Sequence, residues 1–322
     1  LSNEQGDTAV RARPPFAFMY RYIGAWHGPV EIEDYDPVDE YVTNSVPGLI
    51  GLPEQSFVRH VKTDNFSLFP ASEAAYIGLR QPLGWVNLGF VSAIEDHIHI
   101  VAGEMPVTSP DPDYIDVVIS SSFAGETGMQ VGESYVVFKR AETSAAEGDQ
   151  AATESRPTQL NVRIAGIWAA NDESEPYWFY NPKALANTFL IPEDVFRARV
   201  SPATDKEVYA AIWYVIFDGD NVRTDDVPGL LGRINYVNSR VATLLPNTVL
   251  DISPTQALQD YRWTTFVMTI LLYVFSVPIL SLVLYFIGMI SGLVVERQRG
   301  EIAILKSRGT GDAQVVGIYA LE

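Results

Sequence analysis

Two stretches of the sequence concentrate residue types that do chemistry. Residues 31–40, EIEDYDPVDE, carry six carboxylates in ten positions. That density suits an oxygen-liganded cation, but the stretch lacks the regular ligand spacing and the turn glycine of a calcium loop. It reads as a solvated acidic loop. His97 and His99 alternate and, on a strand, share one face. A two-histidine metal site needs a further ligand brought by the fold, and the pair reads as an exposed strand face. No GxSxG, HExxH or GxxxxGKS/T run occurs, so the serine-hydrolase, zinc-protease and P-loop chemistries lack their carriers. The chain is expected to be no enzyme and to hold no metal or cofactor of its own.

Charge removes further classes. The 322 residues include no cysteine, and 22 Lys+Arg stand against 40 Asp+Glu, a net charge of −18. A nucleic-acid binder needs a basic stripe to displace counterions from phosphates, so no nucleic-acid partner is expected. Without cysteine there is no disulfide scaffold, no Cys-ligated metal and no thiol catalysis. The acidity is not evenly spread. Residues 1–262 hold 18 basic and 36 acidic residues, whereas residues 263–322 hold 4 of each.

The elements that must position these residues divide at the same place. From Trp263 to Val295 no residue is charged, a run of 33. A bilayer core needs about 20 apolar residues as helix, so the run is expected to span a lipid bilayer. Pro278 lies near its middle and is expected to act as a hinge, because proline removes one backbone hydrogen bond. Gly288 and Gly292 form a GxxxG pair suited to close helix packing. Ser253-Pro254-Thr255-Gln256 reads as a capping box. A helix over 254–296 would be about 64 Å long, several turns more than a bilayer needs, and the surplus would form a stalk. Arg297, Arg299, Lys306 and Arg308 follow the span. The positive-inside rule therefore puts the C-terminal segment in the cytoplasm and the acidic domain outside the cell membrane. The chain opens at LSNEQGDTAV with no apolar leader and stops at IYALE within a helical pattern. It is expected to be a piece of a longer multi-pass membrane protein.

Before the span the pattern mixes strands and helices. Residues 86–91, 97–101, 114–120, 132–138, 160–168 and 208–217 read as strands. Residues 121–128, 182–189, 192–199 and 226–245 read as helical, the last capped by Asp225 or Asp226 with Pro228 in its first turn. Residues 141–157 are small, polar and acidic and read as a mobile loop. Without strict βαβ order, the fold class is α+β. The expected organisation is an extracytoplasmic α+β domain over 1–252, a stalk and transmembrane helix over 253–296, and a cytoplasmic segment over 297–322 with a short coupling helix at 301–307.

Residues 296–322 read ERQRGEIAILKSRGTGDAQVVGIYALE. This run resembles the end of the second membrane helix in the FtsX-like permeases of ABC transporters, those of MacB-like architecture. There a basic stretch precedes Glu-(Ile/Leu)-x-(Ile/Leu)-Leu-(Lys/Arg)-x-x-Gly. Arg297 and Arg299 match the basic stretch, and Glu301, Ile302, Ile304, Leu305, Lys306 and Gly309 match the run. Gln314-Val315-Val316 and Leu321-Glu322 resemble the start of the family's third membrane helix. Gly103-Glu104-Met105-Pro106 looks like the family's Gly-Arg-x-Pro element with Glu104 in place of Arg. Residues 117–124, Gly132-Glu133 and 162–167 resemble the strand, short helix and strand that follow it. Thr310-Gly311-Asp312 departs from the small and basic residues many members carry there.

The resemblance implies a large outer domain between the first two membrane helices. It implies an ABC ATP-binding subunit that binds ATP and meets residues 297–309, and a second permease copy or homologue. It also implies coupling of ATP hydrolysis to movement of the outer domain for export, extraction or partner activation. The alternative is a membrane-tethered sensor signalling through its helix; an anchored extracytoplasmic hydrolase has no nucleophile or metal motif to support it.

Overall fold

In a computed structural model the described residues are 14–72, 81–107, 111–140, 157–179 and 181–307, with 309, 311 and 317. The chain forms two compact units, Leu1–Leu258 and Gln259–Glu322.

Runs that are apolar on both faces become the interior strands of the first unit. AFMYRYI forms β1 (Ala17–Ile23) and AAIWYVIF forms β12 (Ala210–Phe217), and the two pair antiparallel from Ala17↔Ile216 to Ile23↔Ala210. Every residue of β12 is buried, which explains its lack of alternation. On its far side β12 pairs with β3 (Glu54–Lys62), and β3 pairs with β5 (Gly84–Val91). β13 (Val249–Ile252) closes the other edge on β1.

From β5 the sheet curls into a closed ring. β4 (Phe66–Pro70), β8 (Ser134–Lys139), β9 (Thr158–Ala170), β7 (Ile115–Ser120) and β10 (Thr188–Leu190) follow one another, and β10 returns to pair with β5. Most of these pairings are antiparallel; β7 with β9 and β10 with β5 are parallel. Alternate residues, among them Leu68, Val86, Leu88, Val117, Ile119, Val137, Ile164 and Phe189, fill one buried cluster. β6 (Ile98–Gly103) adds to β9 with a register shift between Ile100 and Ala102. Gly103 has φ +77, and a Cβ there would lie 2.1 Å from the Ala165 carbonyl oxygen, so only glycine fits this crossing. β2 (Val30–Glu31) and β11 (Glu207–Val208) make a separate antiparallel pair.

Helices cover one face of the sheet. α1 (Gly24–His27) is a single turn after β1, and α2 (Ile32–Asn44), α3 (Val46–Ile50) and α7 (Val227–Leu244) pack together on the strands. Tyr35, Val38, Val42, Leu230, Ile234 and Val237 meet Tyr20, Trp213 and Val215 in that core. α4 (Ser121–Thr127) is capped by the Ser120 hydroxyl, which accepts from the Phe123 N–H at 3.1 Å. α5 (Glu193–Val195), a π-helical turn Phe196–Val200 and α6 (Ser201–Ala203) run on from one another. On the opposite face Met19, Val58, Ile212, Tyr214 and Ile216 form a second cluster with Trp168, Tyr177 and Trp178. The first unit is thus mixed α and β around one large sheet.

The structure corrects four local expectations in this unit. The acidic stretch 31–40 is not a loop: residues 32–40 open α2, with Pro37 inside it. Tyr35, Val38 and Val42 recur at helical spacing and are buried, and that stripe outweighs the carboxylates around it. Residues 182–189 are not one helix. A 3-10 turn, Pro182–Leu185, gives way to strand β10, because Thr188-Phe189-Leu190 are all buried and pair with β5 and β7. Asp226 stands before α7, but its carboxylate accepts from the Arg223 N–H at 3.1 Å rather than capping the helix. Ser253 donates its hydroxyl to Thr255 Oγ1 at 3.1 Å, and the last helix starts at Thr255. The loop expected over 141–157 lies, but for Pro157, outside the described residues.

That last helix, α8 (Thr255–Ser307), has 53 residues. Residues 301–307 continue it and do not form a separate short helix. Between Val295 and Ser307 only Gly300 disfavours helix, and Glu, Arg, Gln, Leu, Lys and Ala around it are strong helix formers. Gly309, at φ +90, takes the left-handed conformation that ends helices.

Candidate functional site

The candidate site is the apolar helix α8 with its charged end. Thr255–Val294, 40 residues, is long and apolar enough to cross a membrane, with mean hydropathy 2.5 in its most apolar stretch and none of that stretch buried. Among the described residues it is the one helix that qualifies. A soluble core helix of this composition would be buried, and a signal sequence would lie near the N-terminus. Between Trp263 and Val294, 22 large apolar side chains are exposed. Moving that many out of water gains on the order of 40 kcal/mol. The exposed apolar surface of α8 is consistent with membrane association.

The polar atoms in the run fit such a surrounding. Thr264 donates to the Asp260 carbonyl at 2.9 Å, Thr269 to Thr265 at 2.8 Å and Ser281 to Val277 at 2.8 Å. These three hydroxyls are satisfied within their own helix. Pro278 lies inside α8 and supplies no N–H to the turn before it. At Gly288 and Gly292 nothing among the described residues lies within 4 Å of an added Cβ. Arg297 and Arg299 are exposed on the helix, and Arg299 stands 4.0 Å from Glu296. Glu301, Ile302, Leu305 and Lys306 lie on the same helical backbone, and Ile304 is exposed. Gln314-Val315-Val316 and Leu321-Glu322 lie outside the described residues.

The candidates in the first unit are engaged structurally. His97 precedes β6 rather than lying on it; its Nδ1 is 2.6 Å from Glu175 and its ring stacks on Tyr177 at 3.6 Å. His99 Nδ1 meets the Asn171 Oδ1 at 3.1 Å. Among the described residues no three His, Asp or Glu side chains converge as metal ligands. The acidic face of α2 is tied down by cations. Arg59 donates to Asp39 at 2.9 Å and to both oxygens of Glu193 at 2.7 and 3.1 Å. Arg197 donates to Asp36 at 2.7 Å and to Glu193 at 3.1 Å. Burial opposes the charge on Arg59, yet Asp39 and Glu193 hold it firmly protonated. Lys139 bridges Asp64 at 3.0 Å and Glu207 at 3.8 Å. Arg59 and Arg197 with their carboxylate partners clamp α2, β3 and the turn at 193–200 together.

Sequence reasoning missed this clamp and the buried histidine His60. The clamp was signalled by the Tyr35–Val38–Val42 spacing, which turns the carboxylates of α2 toward fixed neighbours. His60 stands between Arg59 and Val61 on β3, and nothing in its spacing marks it.

No family model matches the chain, and comparison with curated proteins gives no match. Among solved structures the chain is similar to a domain of a provisionally named permease protein from Porphyromonas gingivalis. The identity is 13%, with 70% of this chain and 80% of that chain covered, and the TM-score is 0.32.

Proposed function

We propose that this chain belongs to the permease subunit of an FtsX-like, MacB-like ABC transporter. In this reading residues 1–262 stand outside the cell membrane, α8 crosses it, and residues 297–322 lie in the cytoplasm. The observation that carries the reading is α8 itself. One unbroken helix joins an exposed apolar run to the cationic segment that resembles the family's ATPase contact. Arg297, Arg299, Glu301, Ile302, Ile304, Leu305, Lys306 and Gly309 would meet an ATP-binding subunit, which supplies the nucleotide chemistry. Gly288 and Gly292 would pack against a second permease copy or homologue. A helix of 53 residues is about 80 Å long. It can carry movement from the cytoplasmic side to the outer domain as a rigid body, with Pro278 as its flex point.

The test is the ATPase activity of the ATP-binding subunit assembled with the full-length permease. Glu301→Lys and Leu305→Asp are expected to abolish stimulation while the protein still inserts and folds. Stimulation equal to wild type in both variants contradicts the reading. The unbroken helix also suits a tethered sensor; such a protein would retain its outer-domain signal in Leu305→Asp and co-purify with no ATP-binding subunit.

A further inference from the structure

His60 lies in β3, with Ile212 of β12 and Val91 of β5 beside it in register. It is buried, 4% exposed, and neither ring nitrogen has a hydrogen-bond partner. The ring faces Phe179 at 5.7 Å. Phe179 belongs to residues 171–179, which leave β9 and cross the second apolar face without helix or strand. The strap is anchored at its start, where the Asn171 N–H donates to the His97 carbonyl at 2.9 Å, and its later part is held by side chains. Glu175 meets His97 at 2.6 Å, Tyr177 stacks on the same imidazole, and the Tyr177 hydroxyl donates to the Ser92 carbonyl at 2.9 Å. Trp178 stacks on Trp168 at 6.2 Å, and Phe179 tilts over Tyr214 at 6.1 Å.

An unpartnered polar group in such a layer costs about 1–3 kcal/mol. A phenylalanine would avoid that cost, so the sequence keeps a titratable ring where an apolar one would serve packing better. We propose that His60 is an acid-operated release: its protonation lifts the strap 171–179 and uncovers the aromatic face of Trp168 and Tyr214, while β3, β12 and β5 stay paired.

The surrounding charges set the direction. Burial first, and Lys62 second, hold the His60 pKa down to about 3. Arg21, in the same register row on β1, adds a second cation, itself paired with Asp251 of β13 at 3.6 Å. Tyr214 is the titratable group that β12 brings to this layer, and Val91 of β5 brings none. The strap brings Asp172, Glu173 and Glu175, and the turn before β6 brings Glu95, Asp96 and His97. Glu175 is taken by His97, its carboxylate 2.6 Å from Nδ1. Once the strap opens, His60 meets water and regains an ordinary pKa of about 6.5. A depressed folded-state pKa means the closed form is favoured above about pH 6.5 and loses ground as pH falls toward 3. Opening gains about tenfold per pH unit in that window, or about thirtyfold between pH 7.5 and pH 5.

The experiment is hydrogen–deuterium exchange of the full chain in lipid nanodiscs at those two pH values, corrected for intrinsic exchange. The expected result is a rise of about thirtyfold in exchange of peptide 171–179 in the wild type, with β3 and β12 still protected. His60→Phe and His60→Gln are expected to show no such rise, and His97→Gln to keep it. The same pH response in wild type and in either folded His60 variant overturns the proposal. So does loss of protection in β3 and β12 together with the strap.

Discussion

Asp39 and Trp213 join a helix to the middle of the sheet: Oδ1 of Asp39 on α2 accepts the indole N–H of Trp213 on β12 at 2.8 Å. The other oxygen, Oδ2, takes the Arg59 guanidinium at 2.9 Å. Tyr35, one turn earlier on α2, stacks on the same indole at 5.6 Å. One carboxylate therefore satisfies a buried donor and a largely buried cation at once.

Removing that carboxylate leaves both groups short of a partner. Asp39→Ala is expected to cost about 3–5 kcal/mol, the range for breaking one side of a buried ion pair. In a unit of this size that corresponds to a fall of roughly 10 °C in Tm. Asp39→Asn keeps an oxygen for Trp213 and should lose less. Differential scanning calorimetry checks the order: wild type, then Asn, then Ala. An Ala variant as stable as wild type would remove Asp39 from the account of how α2 is held.

Arg199 organises a segment that has no regular structure. Its guanidinium donates to the carbonyls of Asp111 and Tyr114 at 2.9 Å each and of Pro112 at 2.7 Å. Arg163 secures the same segment through Asp116 at 2.7 and 3.0 Å and Asp111 at 3.3 Å. Arg199→Lys keeps the charge but loses the planar fork. The expected outcome is faster amide exchange over 111–114 in both Arg199→Lys and Arg199→Ala, with a stability loss of about 1.5–3 kcal/mol in the alanine variant. Full retention of protection in Arg199→Lys would show that a point charge is enough.

β5 to β9, β12 and α7 of the first unit were legible in the sequence because their apolar pattern is local, whereas β1, β3, β4 and β13 went unread. Residues 227–244 repeat at helical spacing, and β12 is a continuous apolar run bounded by polar residues. α2 was not legible, because six carboxylates obscured the three apolar positions that decide its packing. β10 was not legible either. Thr188–Leu190 are strand only because β5 and β7 lie on either side of them, and that is a tertiary fact. The long apolar helix was plain from the uncharged run. Its continuation through Arg297–Ser307 was hidden by Gly300, which reads as a break but is tolerated inside a long helix. His60 shows the same limit from the other side: its consequence comes from Phe179, more than a hundred residues away in the chain.

Alkaline pH separates the buried phenols from the rest. Burial pushes the hydroxyls of Tyr20, Tyr35 and Tyr177 well above the ordinary range, and the carboxylates of Glu95, Asp96 and Glu175 push Tyr177 further. The folded-state pKa is raised, so the stability these groups contribute is present below about pH 10 and lost above it. Spectrophotometric titration should show the exposed tyrosines ionising first. The buried three should ionise only together with loss of the folded signal. Smooth, independent ionisation of every tyrosine in a folded protein would contradict their placement.

The central claim is that α8 carries the chain across a bilayer, with the acidic unit outside and the segment after Arg297 inside. The sequence has no cysteine, so one introduced thiol is a unique reporter. Ser121 and Ser307 are both exposed, which makes Ser121→Cys and Ser307→Cys the informative pair. A membrane-impermeant maleimide applied to intact cells expressing the full-length protein is expected to label Ser121→Cys at once. It should label Ser307→Cys only after the membrane is permeabilised. Labelling of both thiols from the same side would contradict the account.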